Sequence, residues 1–406
     1  MSVGERSGDI VGARLITELR RQDPGVRVFG LGGARMADAG ATIDLGTNDL
    51  GVVGVTEAFG SIPAIVRAFG SVRRSVRATR PDVAVLIGND VFNALLARWL
   101  KRLGVPTLAY FPPQVWIWRA VAIPIAGGFD AIFTSFPDEH DVYSRAARTT
   151  VVTYVGHYLA NALGPATEAD RDAARAALGL ARDAAVVALL PGSRRQELQS
   201  LVSKFAGAAR ELADRHPDVR FVIPAADESA LETMRQAMER RSIPARAVLC
   251  RDSHLALRSA DLAVMASGTA SLEAALIGVP TIVVYKVSRA TELIVRAAIA
   301  LGLIESFTVG LPNLITKQRI VRELLQRDAT SESIAREAAE LLDDPARRAW
   351  MTRQYAAIAD ALKGDDPLAE VAAGVLRWAD ERRATASEEP TYAPAAGRRI
   401  PAQETE

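Results

Sequence analysis

The chain has 406 residues, 49% of them hydrophobic, with 49 Lys plus Arg against 48 Asp plus Glu. At roughly 150 residues per domain, this length points to two or three folded units with cores of ordinary size. A formal charge of +1 provides no overall field to draw in nucleic acid or anionic lipid, and the single cysteine, Cys250, excludes an internal disulfide framework and a thiolate metal cage.

Any basic site is therefore local, and a lone thiol fits a reducing cytoplasm. His140, His157, His216 and His254 stand singly, without zinc-ligand spacing, so neither a metal nor a cofactor is expected.

At the N-terminus, MSVGERSGD lacks the basic and hydrophobic regions of a secretion signal. Gly4-Glu5-Arg6-Ser7-Gly8-Asp9 precedes a helix whose apolar face includes Ile10, Leu15, Ile16 and Leu19. The segment reads either as a turn capped by Ser7 or as a ligand loop, with the acidic pair Glu5 and Asp9 favouring the second. A doubly wound unit ordinarily delivers such a turn from a strand, yet only Met1, Ser2 and Val3 come before it. The expectation is that the first strand is missing from this stretch and that the true start lies upstream.

Strands are expected at Val26 to Leu31, Val83 to Ile87, Thr107 to Tyr110, Ala131 to Thr134 and Val151 to Val155. Several are apolar throughout, as strands covered on both faces are. Between the first two, Phe59 to Arg80 carries Ile62, Ile65, Val66, Phe69, Val72 and Val76 at helical spacing among five arginines. Such a stretch either rests on a bilayer surface or covers the sheet with a solvated basic face, and Pro63 confines the helix to the residues after it. After the strand ending at Tyr110, the Pro-stiffened segment Phe111 to Arg119 presents Trp116, Trp118 and Arg119, either as a ligand wall or as packing.

Residues Asn161 to Arg171 read as a linker. Beyond it, strands are expected at Val186 to Leu190, Arg220 to Ile223, Ala247 to Cys250, Leu262 to Met265 and Thr281 to Tyr285, with a helix over Gln196 to Arg215. Leu189-Leu190-Pro191-Gly192-Ser193-Arg194 leads from a strand into that helix and places backbone N–H groups and a guanidinium where a diphosphate fits, a plain helix cap being the alternative. Ala266-Ser267-Gly268-Thr269-Ala270-Ser271-Leu272-Glu273 lets the chain turn tightly at a strand's carboxyl end, with Glu273 one helical turn along and suited to a ribose diol. The two turns in one half suggest a nucleotide.

Leu293 to Ile304, the most apolar stretch, falls short of the roughly 20 residues that span a bilayer. From Ala384 onward the Pro, Ala, Glu and Thr mixture is expected to be disordered. The fold class is thus α/β, with two Rossmann-like doubly wound domains at 1–163 and 164–383 and a disordered tail at 384–406.

These blocks resemble the lipid-A-disaccharide synthase family, glycosyltransferases of two-domain GT-B architecture. GERSGD, GLGGARM at Gly30 to Met36, GVVGVTEAFG at Gly51 to Gly60, YFPPQVWIWR at Tyr110 to Arg119, Val155-Gly156-His157, LLPGSR, ASGTASLE, LPNLI at Leu311 to Ile315 and RELLQ at Arg322 to Gln326 carry the resemblance. It implies transfer of a diacylated glucosamine from UDP to the 6-hydroxyl of a monosaccharide lipid, with inversion and without a metal, in the cytoplasm and peripheral to the inner membrane. The implied partners are a UDP-activated acylated amino sugar, a lipid acceptor and the cytoplasmic membrane surface, and no nucleic acid.

The same resemblance assigns the donor to Gly192, Ser193, Arg194, Ser267, Gly268, Thr269, Glu273 and Asn313, and the acceptor side to Ser7, Asp9, Trp116 and Arg119. Its catalytic candidates are Glu5 and Asp90. The family's presumed base is an Asp at the end of the strand before Phe-Asn, and this chain has Gly88 there, with Asp90 two residues on. Tyr158 replaces the usual Pro after Gly-His, and Asn161 replaces a following Asp. A UDP-sugar enzyme with another acceptor or an epimerase-like reaction, and a binding protein without turnover, remain as alternatives.

Overall fold

The structure is a computed structural model that describes residues 1–46, 62–88, 90–113, 122–193, 195–225, 228–241, 246–300 and 308–388. The first sheet comprises β1 (Ser2–Val3), β2 (Phe29–Gly32), β3 (Thr42–Gly46), β4 (Ala84–Ile87), β5 (Thr107–Tyr110), β6 (Ala131–Thr134) and β7 (Val151–Tyr154). The second comprises β8 (Val186–Leu190), β9 (Arg220–Pro224), β10 (Ala247–Cys250), β11 (Leu262–Ala266), β12 (Thr281–Tyr285) and β13 (Arg322–Leu325). Their orders are β3-β2-β1-β4-β5-β6-β7 and β10-β9-β8-β11-β12-β13, and every pairing among these strands is parallel. Each order reverses beside its central strand, between β1 and β4 and between β8 and β11.

The helices of the first half are α1 (Arg6–Gln22), α2 (Ala34–Asp38), α3 (Ile62–Thr79), α4 (Asp90–Arg102), α5 (Ala122–Ala126), α6 (Pro137–Ala146) and α7 (Tyr158–Ala162). Those of the second are α8 (Glu168–Ala177), α9 (Arg195–Arg215), α10 (Glu228–Glu239), α11 (Ser253–Ser259), α12 (Thr269–Ile277), α13 (Arg289–Ala300), α14 (Leu311–Thr316), α15 (Ser331–Asp343), α16 (Pro345–Leu362) and α17 (Pro367–Glu388). β4, β5, β6, β8 and β11 are buried at every residue, because helices cover both faces of each sheet.

Two expectations change. The first strand is present: Ser2 and Val3 pair with Leu86 and Ile87 of β4, and Ser2 with Leu31 of β2. Two residues suffice because Asn93 braces them, its Oδ1 accepting from the Ser2 hydroxyl at 2.7 Å while its Nδ2 donates to the Gly88 carbonyl at 2.6 Å. The second change is at the C-terminus, where α17 continues to Glu388, so Ala384 to Glu388 are helical. Ala-Thr-Ala-Ser-Glu contains no helix breaker, and residues 389–406 lie outside the described set. The two readings of the basic amphipathic stretch are also separated: the apolar face of α3 covers the sheet. Val72 and Val76 are buried, and Phe69 packs edge-on against Phe92 at 6.2 Å and Trp99 at 5.6 Å.

The chain passes between the sheets twice, and the passages lie side by side. His157 N donates to Leu362 O at 2.8 Å, Tyr154 Oη to Ala361 O at 2.6 Å and Asn161 Nδ2 to Gly364 O at 2.8 Å. α17 then packs on α1, and Lys317 pairs with Asp138 of α6 at 2.8 Å.

Candidate active site

Open parallel sheets bind ligands beyond the carboxyl ends of their strands where the order reverses. GERSGD follows β1, Gly88 follows β4, PGSR follows β8 and ASGTASLE follows β11, so all four motifs stand at such points.

In the second half, the loop after β8 is braced by Glu197, whose Oε2 accepts from Ser193 N at 3.1 Å. Gly192 and exposed Ser193 lie on this loop, and Arg194 lies outside the described residues. After β11, Ser267 Oγ donates to Val309 O at 2.7 Å and Ser271 Oγ to Gly268 O at 2.8 Å. Gly268 has φ +153° and ψ −166°, a conformation confined almost wholly to glycine, and a Cβ added there would meet nothing within 4 Å. The backbone of this turn is open on the side where a Cβ would stand. Thr269 opens α12, and Glu273 follows one turn later, its side chain 19% exposed.

Asn313 is buried. Its Nδ2 donates to Val321 O at 2.9 Å and Glu323 Oε1 at 2.8 Å, while its Oδ1 accepts from Val321 N at 2.9 Å. Both amide hydrogens are thus engaged. Glu323 also accepts from Val309 N and Gly310 N at 3.1 and 3.0 Å. The Asn313–Glu323 pair therefore holds the 309–311 segment against the Ser267 turn.

In the first half, Glu5 is half-buried at the N-cap position of α1, and Ser7 is exposed inside the first turn, so the cap is not Ser7. Asp9 is buried. Its Oδ1 accepts from Gly33 N at 2.8 Å and Met36 N at 3.1 Å, and its Oδ2 accepts from Arg35 N at 3.2 Å. It caps α2 and ties the GLGGARM segment to α1. Gly88 has φ +59°, its N donates to Phe111 O at 3.0 Å, and a Cβ there would again meet nothing within 4 Å. Asp90 is the first residue of α4, but its side chain lies outside the described residues, as do Trp116 and Arg119.

Between the halves stands an aromatic cluster that sequence reasoning passed over. His157 stacks on Tyr158 with centroids 5.2 Å apart and touches Phe111 and Phe136 at 5.0 and 5.4 Å. Burial lowers its pKa to about 3, and its Nδ1 accepts from Leu159 N at 3.2 Å, so it is a neutral helix cap and not a proton carrier. The Arg14 guanidinium lies 5.2 Å from the Tyr158 ring centre. Burial raises the Tyr158 hydroxyl to about 12, Arg14 opposing this and the Glu273 carboxylate adding to it. Glu273 thus lies within electrostatic reach of the link between the halves. On its other side His254 Nε2 stands 3.5 Å from Glu273 Oε2, and that carboxylate raises the His254 pKa. A single histidine without spacing gave no signal of this pairing.

The family model of lipid-A-disaccharide synthetase matches residues 1–364. The chain belongs to the lipid-A-disaccharide synthetase family. It is 36% identical over 382 residues to the lipid-A-disaccharide synthase of Xanthomonas oryzae pv. oryzae strain MAFF 311018, covering 93% of this chain and 87% of that one. It is also 36% identical over 384 residues to that of Thiobacillus denitrificans, covering 94% of this chain and 100% of that one. Among solved structures, UDP-GlcNAc 2-epimerase from Neisseria meningitidis aligns with TM-score 0.57 at 14% identity over 95% of this chain and 98% of that one. MurG from Acinetobacter baumannii aligns with TM-score 0.53 at 15% identity over 93% and 98%. These two likenesses concern the fold, which is that of a GT-B glycosyltransferase. Within the lipid-A-disaccharide synthetase family the chain is thus a glycosyltransferase in sequence and in architecture.

Proposed function

We propose that the chain transfers 2,3-diacylglucosamine from UDP to the 6-hydroxyl of a monosaccharide lipid acceptor, with inversion at the anomeric carbon, in lipid A biosynthesis. The observation that carries this reading is the open Gly268 turn with Glu273 one helical turn beyond it, at the reversal point of the second sheet. A uridine diphosphate lies across the carboxyl ends of β8 and β11, with Glu273 on the ribose diol and Arg194 and the Gly192–Ser193 backbone on the phosphates.

The acceptor oxygen attacks the anomeric carbon opposite the diphosphate. A carbon–oxygen bond forms as the bond to the β-phosphate oxygen breaks, and UDP departs with the electron pair. Arg194 and backbone N–H groups stabilise the growing charge, an arrangement effective in a site that excludes water. The hydroxyl proton passes to a carboxylate of the first half. Asp90 is the candidate, Glu5 the other, and general-base catalysis contributes typically about 10² to 10⁴ in rate. Ser7, Trp116 and Arg119 serve the acceptor, and Asp9 braces the helix that carries Ser7.

Among the described residues no helix is long and apolar enough to cross a membrane. Membrane attachment rests instead on the outer surface of α3 to α5. Val66, Leu95 and Ile123 are exposed there, beside exposed Arg67, Arg73, Arg74 and Arg77. Arg98 joins α4 to α5 through the Pro124 carbonyl at 3.0 Å, which makes the surface continuous. This is the cytoplasmic face of the inner membrane in our reading.

Incubation of the full chain with UDP-2,3-diacylglucosamine and the monosaccharide lipid should give a disaccharide and one UDP per turnover. UDP release only with another acceptor would contradict the lipid A reaction. Gly88 favours a second reading, UDP-sugar binding without transfer, for which binding with no disaccharide would speak.

A further inference from the structure

The Glu273 carboxylate has a partner no motif announces. α11 begins at Ser253 behind Asp252, whose Oδ1 accepts from His254 N at 2.9 Å and Leu255 N at 3.0 Å. This cap fixes the first turn of α11 and aims the His254 imidazole at α12, where its Nε2 lies 3.5 Å from Glu273 Oε2. The imidazole is 34% exposed and the carboxylate 19%, so the pair sits at the rim of the nucleotide turn and not in the core.

We infer that His254 is a positioning residue for nucleotide recognition: it holds one oxygen of Glu273 so that the other faces the ribose hydroxyls. The inference rests on the ribose role proposed for Glu273. A carboxylate free to rotate loses conformational freedom when it accepts from a diol, whereas one already held by an imidazolium presents its oxygen in place.

The charged groups around His254 are few. Glu273 on α12 draws the proton on, Asp252 on the same loop assists, and Arg258 on α11 opposes. Arg258 is itself paired with Asp170 of α8 at 3.8 Å, and Arg14 lies over the Tyr158 ring at 5.2 Å. Glu273 dominates, so the imidazolium persists above the ordinary histidine range. Nucleotide affinity is then highest on the acid side and declines as pH rises through the raised value.

The test is calorimetry of the full chain with UDP-N-acetylglucosamine, whose diphosphate diester has no group titrating near neutrality. Affinity should fall about fivefold between roughly pH 6 and pH 9. His254→Ala should bind about fivefold more weakly at pH 6 with a flat profile, and His254→Gln, which still donates from an amide, should recover part of the loss without the pH dependence. With 2′-deoxy-UDP the wild type and His254→Ala should differ by less than about twofold, a split that a merely structural role would not produce. Thermal melts check that each variant is folded.

Wild-type affinity and pH profile in folded His254→Ala would overturn the inference, as would equal losses for UDP and 2′-deoxy-UDP. Glu273→Gln separates the two levels. If it weakens binding while His254→Ala does not, only the positioning role fails. If it too leaves binding unchanged, the ribose assignment and this inference fail together.

Discussion

The two halves share a topology but use their motif residues differently. In the second half, Glu197, Ser267, Asn313 and Glu323 bond to backbone across sequence gaps of 4, 42, 8 and 14 residues and leave an open turn at Gly268. In the first half, Asp9 and Asn93 reach across sequence gaps of 24 and 91 residues to stitch α2 and β1 into place. One half is braced around an open turn. The other is braced around its own short central strand. A motif carboxylate is thus no guide to chemistry until its partners are known: Asp9 holds three backbone N–H groups, whereas Glu273 is held by a single imidazole at the rim.

The sharpest break of this comparison is Asp90→Asn. If the first half supplies the base from α4, transfer should slow by about 10² to 10⁴ with UDP affinity unchanged, as single-turnover kinetics and calorimetry would read. An unaltered rate would pass the role to another carboxylate, Glu5 first. Gly88→Asp sharpens the same point, because the space beyond Gly88 is open and Asp tolerates a positive φ better than most residues. Recovery of transfer in the Asp90→Asn background would place the base beside β4.

Asp9→Ala should act on stability and not on UDP binding. Three backbone donors near a buried position lose their acceptor, a cost of about 1–3 kcal/mol, measurable by denaturant titration. A loss of acceptor affinity without destabilisation would return Asp9 to the acceptor side. Charge reversal at Arg67, Arg73 and Arg74 should weaken co-sedimentation with anionic vesicles, at about 1 kcal/mol per residue, and leave turnover of a short-chain acceptor intact.

The pH dependence of stability separates two histidines. His157 is buried neutral with its pKa lowered to about 3, so its share of stability is full above the unfolded value of about 6.5 and is lost as pH falls toward 3. His254 has the opposite sign. Its pKa is raised by Glu273, so its share is full below the unfolded value and is lost as pH rises through the folded one. Melting curves of His157→Asn and His254→Asn across that range should diverge from the wild type at opposite ends.

Much of the fold was legible because parallel strands covered on both faces are mostly apolar: β5, β6, β8 and β12 fall where the composition of their segments places them, and so does half-buried β10. β1 escaped notice because two residues carry no period. β3 is half-exposed at the sheet's edge, and β13 reads Arg-Glu-Leu-Leu, which favours helix until β12 is there to pair with it. For the site, glycines and small residues after strands were informative since those turns are local. The partners of Asp9 and Asn313, and the His254–Glu273 pair, depend on segments brought together only by folding.

The central claim is that the second half grips a uridine diphosphate across the carboxyl ends of β8 and β11. Titration of the folded full chain with UDP, beside Arg194→Ala and Glu273→Ala, tests it most directly. The account predicts micromolar-range binding that weakens at least about tenfold in each variant. Absence of binding heat in the wild type at several temperatures, or variants that bind UDP as well as their parent, would contradict it.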